Sequence, residues 1–142
     1  MLSKKTKYAF HALTYLGAQD RSVKTQISQI AADTKIPKKF LEAILLDMKK
    51  TGILAAKSGK GGGYYLNKDP KEIPLALIVR MFNGPIAMLP CVSLNYYEKC
   101  EECPDEEKCG LHKIMIQLRD ESLKILENKT LKDIMSLEKN WV

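Results

Sequence analysis

Two short segments with helical periodicity, separated by a proline, dominate the first half of the chain. In "QISQIAADT", Ile27 and Ile30 recur at helical spacing. In "PKKFLEAILLDMKKTG", Pro37 stands at a helix start and Gly52 at a helix end. The predicted apolar face of this second helix comprises Phe40, Leu41, Ile44, Leu45 and Met48. Two helices joined by a tight turn predict a helix-turn-helix.

The predicted outer face of the second helix is basic. It carries Lys38, Lys39, Glu42, Lys49 and Lys50. Residues 1–68 hold 13 Lys or Arg against 4 Asp or Glu, whereas residues 69–142 hold 10 against 13, so the net charge of +6 is unevenly distributed. This asymmetry favours a polyanion such as DNA as the partner of the first half. A solvated lysine surface that binds nothing is the alternative.

A glycine-rich hairpin is predicted directly after the helix pair. Strand-like runs at residues 53–57 and 64–66 flank the tip "SGKGGG", the outline of a wing. Gly61 and its neighbouring glycines permit backbone conformations closed to other residues and a close approach to a DNA backbone. A phosphate-binding loop requires a helix after the glycines, but here "YYL" follows. The fold class predicted is therefore mainly α with a small β-wing.

The remaining helices are predicted from caps and spacing. Ser3 caps a first helix that ends near Gly17, and Thr130 with Asp133 resembles a capping box for a short last helix. Trp141 is expected to close that end. A long helix from about Cys109 carries apolar residues at roughly heptad spacing, namely Leu111, Met115, Leu118 and Ile125. Because the winged domain already has a core, this seam predicts a homodimer interface.

Four cysteines lie close together in the second half of the chain. The stretch "CEECPDEEKCGLH", residues 100–112, holds three of them and a histidine, and Cys91 precedes it. No segment approaches the length of a membrane span and the start lacks a signal-peptide core, so a cytoplasmic protein is expected. In a reducing compartment such cysteines are metal ligands or redox thiols rather than a disulfide framework.

Several motifs in this order resemble one family. "YAFHALTYLGA", "IPKKFLEAILLDMKKTGIL", "SGKGGGYYL", "DPKEIPLALIVRMFNG" and a "C-x5-C-x2-H" insert together look like the IscR/NsrR-type winged-helix transcription regulators, over nearly the whole chain. The resemblance implies a dimeric bacterial repressor or activator that binds double-stranded DNA. It also implies that a cluster, or another signal in cluster-less members, conveys iron-sulfur, redox or nitric oxide status.

The resemblance implies a ligand set for a 2Fe-2S cluster. Cys103, Cys109 and His112 match the "C-x5-C-x2-H" motif, and Cys91 matches the leading cysteine. Some family members take the fourth ligand from an acidic residue in helix one of the partner, where this chain has Lys7 and a tyrosine. His112 is thus the implied fourth ligand, with its imidazole raising the reduction potential.

The cysteine spacing leaves alternatives. Eleven residues separate Cys91 from Cys103, more than in the resembling proteins, so Cys100 is either left over or the true ligand. The pair Cys100 and Cys103 also fits a zinc site, or a disulfide-forming thiol switch without metal. A small redox protein would explain the cysteines but not the basic helix and wing. No nucleotide motif or triad-like partner is found, so an enzyme is not expected.

The sequence assigns candidate residues to DNA and divides the chain into three parts. The candidate DNA-contacting residues are Lys38, Lys39 and Glu42 in the helix and Ser58, Lys60, Gly61 and Tyr64 in the wing. Ser58 stands where the resembling regulators often carry a basic residue. The predicted parts are a winged-helix domain (1–85), a sensor loop (86–109), and a dimerisation helix with a C-terminal helix (110–142).

Overall fold

A computed structural model describes residues 1–138 of the chain. Three helices open the fold: α1 (Lys4–Ala18), α2 (Ile27–Thr34) and α3 (Lys38–Lys50). The Ser3 hydroxyl accepts the backbone N–H of Thr6 at 3.1 Å, which confirms the predicted cap of α1. Lys35, with φ 59°, makes the tight turn between α2 and α3. The predicted helix pair is therefore present.

An antiparallel hairpin follows α3. Strands β1 (Leu54–Lys57) and β2 (Gly63–Leu66) pair with Leu54 opposite Leu66 and Lys57 opposite Gly63. Leu54 and Leu66 are buried, whereas residues 58–61 at the tip between the strands are exposed. The predicted wing thus lies with its base on the core and its tip in solvent.

Three further helices complete the described part of the chain: α4 (Leu75–Phe82), α5 (Gly110–Asn128) and α6 (Leu131–Leu137). The segment between α4 and α5 contains two short 3-10 turns, at Pro90–Val92 and Glu106–Lys108. The predicted capping box of α6 is confirmed, because Asp133 accepts the backbone N–H of Thr130 at 2.8 Å. Trp141 lies outside the described residues.

One apolar core unites the helices and the base of the wing. Its fully buried side chains include Leu13, Ile30, Leu41, Ile44, Leu45, Met48 and Leu131. Helix α6 returns to this core through Leu131, and Met135 packs against it beside Gly17. Across residues 1–138, no helix is long and apolar enough to cross a membrane.

The prediction that Phe40 belongs to the buried apolar face of α3 is wrong. Phe40 is 50% exposed, whereas the other four members of that face are fully buried. It lies at the flank of α3, where it contacts the Tyr8 ring of α1 at a centroid distance of 5.9 Å instead of entering the core.

The predicted seam of α5 lies largely in solvent in the single chain. Leu111, Leu118 and Ile125 are exposed, and Met115 is half-buried. Leu123, on another side of the helix, is buried and holds α5 to the rest of the chain. An apolar stripe on an exposed helix face is the arrangement that an interface requires, and the homodimer stays a prediction.

Candidate DNA-reading surface and sensor cavity

The candidate DNA-reading helix presents its predicted polar residues to solvent. Lys38, Lys39 and Glu42 are exposed in the first two turns of α3, and Lys49 and Lys50 are exposed at its end. Lys38 and Lys39 form no ion pair within the described part of the chain, so their charges are available to a phosphate backbone.

The wing is fixed to the start of α2 by two backbone hydrogen bonds. The Thr25 N–H donates to the Tyr64 carbonyl at 2.9 Å, and the Tyr64 N–H donates to the Thr25 carbonyl at 2.8 Å. Gly63 makes this approach possible, because a Cβ there would lie 2.5 Å from the backbone of Thr25. The close approach allowed by this glycine is therefore made to the chain's own backbone.

The candidate wing residues fall into two groups. Ser58, Lys60 and Gly61 are exposed at the tip, where Gly61 adopts a φ of 73°. Tyr64 is half-buried and its ring packs against the core. The tip residues are accessible to a partner molecule, and their contact with DNA stays a prediction, whereas the buried part of Tyr64 gives this residue a structural role.

All four cysteines and His112 line one cavity of about 460 Å³. The walls come from three places: the turn that contains Cys91, the loop that contains Cys100 and Cys103, and the start of α5. The structure thus brings together every residue of the predicted ligand set, which was proposed from separate stretches of sequence.

Two direct contacts tie the cavity to α5. The Cys109 sulfur caps the helix by accepting the backbone N–H of His112 at 3.4 Å. His112 Nδ1 lies 3.3 Å from the sulfur of Cys91, which is buried. Because Cys109 and His112 are three residues apart on one helix turn, both donors face the cavity from the same helix end.

Three of the cavity thiols, those of Cys91, Cys100 and Cys103, have a raised pKa and so favour the protonated state. Burial raises the pKa of Cys91, and the Glu106 carboxylate raises it further. A hydrogen bond donated to the Glu102 carboxylate, at 3.3 Å, raises the pKa of Cys100. Burial also raises the pKa of Cys103, with contributions from the neighbouring Cys109 and Glu106. A bound cation would offset these effects because it stabilises thiolates directly.

Two other contacts involve residues at the cavity wall or next to it, and they have no signal in the sequence. Tyr97 donates a hydrogen bond to the Glu106 carboxylate, and this interaction with Glu106 contributes most to raising the pKa of Tyr97 to about 12. The Arg119 guanidinium donates to the Val92 carbonyl, 27 residues away in the chain, at 2.9 Å. Neither pair follows a helical or strand spacing, so neither was predicted.

The donor set fits a soft metal centre in its chemistry. Three cysteines with a histidine are a known ligand set for iron-sulfur and zinc sites. In residues 1–138, however, no three His, Cys, Asp or Glu side chains converge closely enough to hold a single ion. The donors surround the cavity without closing on one point.

The comparisons with known proteins cover the helix pair, the wing and the cavity together. The family described as "Rrf2: Iron-dependent Transcriptional regulator" matches residues 2–137. The chain belongs to this family. It is therefore a DNA-binding transcription regulator, and the predicted IscR/NsrR-type resemblance is confirmed.

Individual relatives agree with this assignment. The chain is 38% identical over 139 residues to an rrf2-like HTH-type transcriptional regulator of Rhodobacter capsulatus, covering 96% of this chain and 93% of the relative. It is 30% identical over 134 residues to NsrR of Geobacillus kaustophilus, covering 94% and 88%. These Rrf2 relatives are described as transcriptional regulators, a class distinct from enzymes.

A solved structure supports the winged-helix fold. The structure of CymR, the global cysteine regulator of B. subtilis, superimposes with a TM-score of 0.79 and covers 98% of both chains at 24% identity. The predicted fold class is confirmed.

Proposed function

We propose that this Rrf2 regulator is a cytoplasmic homodimer whose DNA affinity is controlled by a 2Fe-2S cluster at the cysteine cavity. The observation that carries the proposal is the single cavity lined by all four cysteines and His112 at the start of α5. The description of the family as iron-dependent supports an iron-containing occupant.

The proposed ligands are Cys91, Cys103, Cys109 and His112. Cys91 and His112 are already in contact, and the Cys103 thiol is close enough to Cys109 to interact with it. When bound, such a cluster supplies a redox-active centre whose potential depends on its ligands and surroundings. Cys100 lines the same cavity but interacts with Glu102, so it is the proposed non-ligand.

The proposed DNA-binding surface comprises α3 and the wing tip. Lys38, Lys39 and Lys60 contact phosphates, whereas Glu42 faces base edges and discriminates among sequences. Ser58 and Gly61 lie beside Lys60 at the tip, and Tyr64 positions the hairpin. The backbone hydrogen bonds between Thr25 and Tyr64 connect the wing to the start of α2. The helix pair and the wing therefore approach the duplex as one unit.

The proposed signal travels from the cavity to the dimer through α5. Cys109 caps α5 and His112 stands on its first turn, so ligation restrains the end of this helix directly. The exposed seam of the same helix is the proposed dimer contact. Any change in DNA affinity is limited to the free-energy difference between the ligated and unligated dimers.

Anaerobic reconstitution with iron and sulfide tests the cluster. The wild type is expected to acquire visible absorption, and Ser at Cys91, Cys103 or Cys109 is expected to abolish it. Cys100→Ser is the matched control and should retain it. A colourless protein that holds one zinc per chain would contradict the iron-sulfur assignment and leave the DNA-binding function intact.

A metal-free thiol switch is the second candidate. The sequence predicted it between Cys100 and Cys103, but the Cys103 thiol interacts with Cys109, so the pair proposed here is Cys103 and Cys109. The two thiols would pass two electrons and two protons to hydrogen peroxide, which becomes two water molecules, and would form one disulfide. Mass spectrometry of peroxide-treated protein tests this candidate. A Cys103–Cys109 disulfide in protein that binds no iron would support it, and unchanged thiols would exclude it.

A further inference from the structure

The exposed ring of Phe40 is the feature that the proposed phosphate and base contacts do not use. It is the third residue of α3, and it follows Lys38 and Lys39. Half of its surface is in solvent, although the other apolar residues of its predicted face are buried. Single exposed apolar residues are common on protein surfaces, so exposure alone assigns no role to it.

Three further observations distinguish Phe40. Its ring contacts the Tyr8 ring at 5.9 Å with an interplanar angle of 60°, a tilted arrangement that restricts both side chains. Tyr8 is itself packed against the core, so the support is rigid. Ala43, one helical turn further on, is exposed as well, and Phe40 and Ala43 together form a short apolar strip beside Lys39 and Glu42.

The position of this strip matches a groove-reading site. Residues at the N-terminal end of the second helix of a helix-turn-helix contact base edges in the major groove. The apolar feature that the major groove presents is the C5-methyl group of thymine, and Phe and Ala side chains contact it. Lys38 and Lys39, the first two residues of α3, favour DNA over an apolar protein partner, because it would be costly to bury their charges against such a partner.

We infer that Phe40, supported by Tyr8, recognises thymine methyl groups in the operator. Burial of one methyl group against the ring should contribute about fourfold in affinity. Phe40 is thus a specificity-determining residue, and Tyr8 is a positioning residue. The inference rests on the DNA-binding surface proposed above.

Exchange of thymine for uracil tests the contact, because it removes only the methyl group. Operators are selected from a random duplex pool with the wild-type protein, and each conserved thymine is then replaced by deoxyuridine. The wild type should lose about fourfold in affinity per contacted methyl group. Phe40→Ala should bind the thymine and uracil duplexes with equal affinity. Tyr8→Ala should prefer the thymine duplex less than the wild type does, and Phe40→Leu should retain most of the wild-type preference.

A matched control separates this contact from general loss of apolar surface. Leu77 is a comparably exposed apolar residue on α4, and Leu77→Ala should discriminate as the wild type does. Wild-type protein that ignores every uracil exchange, a selected operator without a conserved thymine, or full discrimination by Phe40→Ala would overturn the inference. If Phe40→Ala binds no DNA, Phe40→Leu and the wild-type exchange series decide the question.

Failure of the inference is distinguishable from failure of the docking surface. If the lysines of α3 do not contact DNA, their removal leaves affinity and its salt dependence unchanged whatever the thymine exchange shows. If only the inference about Phe40 is wrong, the lysine variants weaken binding while thymine and uracil duplexes bind alike.

Discussion

The Arg119 guanidinium donates to the carbonyl oxygen of Val92 at 2.9 Å and thereby ties α5 to the residue that follows Cys91. The same guanidinium pairs with the Asp120 carboxylate at 2.8 Å, and only 15% of the Arg119 side chain is exposed. A helix that carries two candidate ligands at its start is thus also fastened, further along, to the segment that carries a third.

Removal of this guanidinium should destabilise the sensor segment. Arg119→Met leaves the Val92 carbonyl without its charged donor, which should cost about 1.5–3 kcal/mol of the free energy of unfolding. Hydrogen exchange should also accelerate around residues 90–109. Arg80→Met is the control, because Arg80 forms an exposed ion pair with Glu127 and should contribute less than about 1 kcal/mol. Equal destabilisation by both variants in urea unfolding would contradict this role.

The lysines of α3 should set overall affinity rather than sequence preference. Lys38→Ala with Lys39→Ala should weaken binding to all duplexes and reduce the slope of log affinity against log salt by about 0.9 for each phosphate that is no longer neutralised. Lys71→Ala with Lys132→Ala, at exposed positions outside the helix pair and wing, is the charge-matched control. Fluorescence anisotropy at several salt concentrations measures both. An unchanged slope in the Lys38 and Lys39 variant would refute the proposed docking.

Glu42 should act differently from the lysines. A carboxylate that faces a groove accepts from a cytosine amino group and repels unsuitable base edges. Glu42→Ala should therefore change the operator selected from a random pool more than it changes the affinity for phosphate-dominated, nonspecific DNA. Recovery of the wild-type consensus by Glu42→Ala would exclude a base-reading role.

A charge in the exposed seam of α5 should dissociate the dimer. Leu118 is 40% exposed in the single chain, and burial of an aspartate there against a partner would leave a charge without compensation. Leu118→Asp should sediment as a monomer and bind DNA more weakly, because a monomer reaches one half-site only. Leu137→Asp, at a position that is 84% exposed on α6, should remain dimeric. Wild-type protein that is monomeric at micromolar concentration would remove the basis for this prediction.

The contact between α1 and α2 should make stability dependent on pH at both extremes. Tyr15 donates to Asp33 at 2.5 Å, and this bond, with one from Gln29, lowers the pKa of Asp33. The folded state therefore gains stability above the unfolded pKa of Asp33, and this stability is lost as pH falls through the lower folded pKa. The pKa of Tyr15 is raised from 10.0 to about 12, mainly because the hydroxyl is desolvated and secondly because of its hydrogen bond to the Asp33 carboxylate and the charge of that group. The contribution of Tyr15 to the free energy of unfolding is therefore fully present below pH 10 and is lost as the pH rises towards 12.

Removal of the Tyr15 hydroxyl distinguishes the pH effect of the contact with Asp33 from the effects of the other titrating groups. Tyr15→Phe should lower the Tm at neutral pH and flatten its decline at both ends of the pH range. Tyr96→Phe, at an exposed tyrosine, should leave the profile unchanged. Thermal unfolding from strongly acidic to strongly alkaline pH provides the comparison, and parallel profiles for Tyr15→Phe and the wild type would contradict the assignment.

Local chemistry in the sequence was sufficient to predict the helices, their caps and the wing. The Ser3 cap, the capping box at Thr130 and the glycine-rich hairpin depend on neighbours within a few residues, and the structure contains all three. The ligand candidates were likewise recognised from short spacings, but their assignment as ligands stays a prediction. The three-part division of the chain also stays a prediction.

Tertiary packing decided the contacts of residues at the flank of an apolar helix face and the contacts between residues far apart in the chain. Phe40 fits the apolar period of α3, yet it lies at the flank of the apolar arc, and only the position of α1 determines that its ring contacts Tyr8 instead of the core. Arg119 and Val92 are 27 residues apart with an irregular segment between them, so no periodicity relates them. The same holds for His112 and Cys91, because the path of a loop depends on the surfaces it packs against rather than on its own repeat.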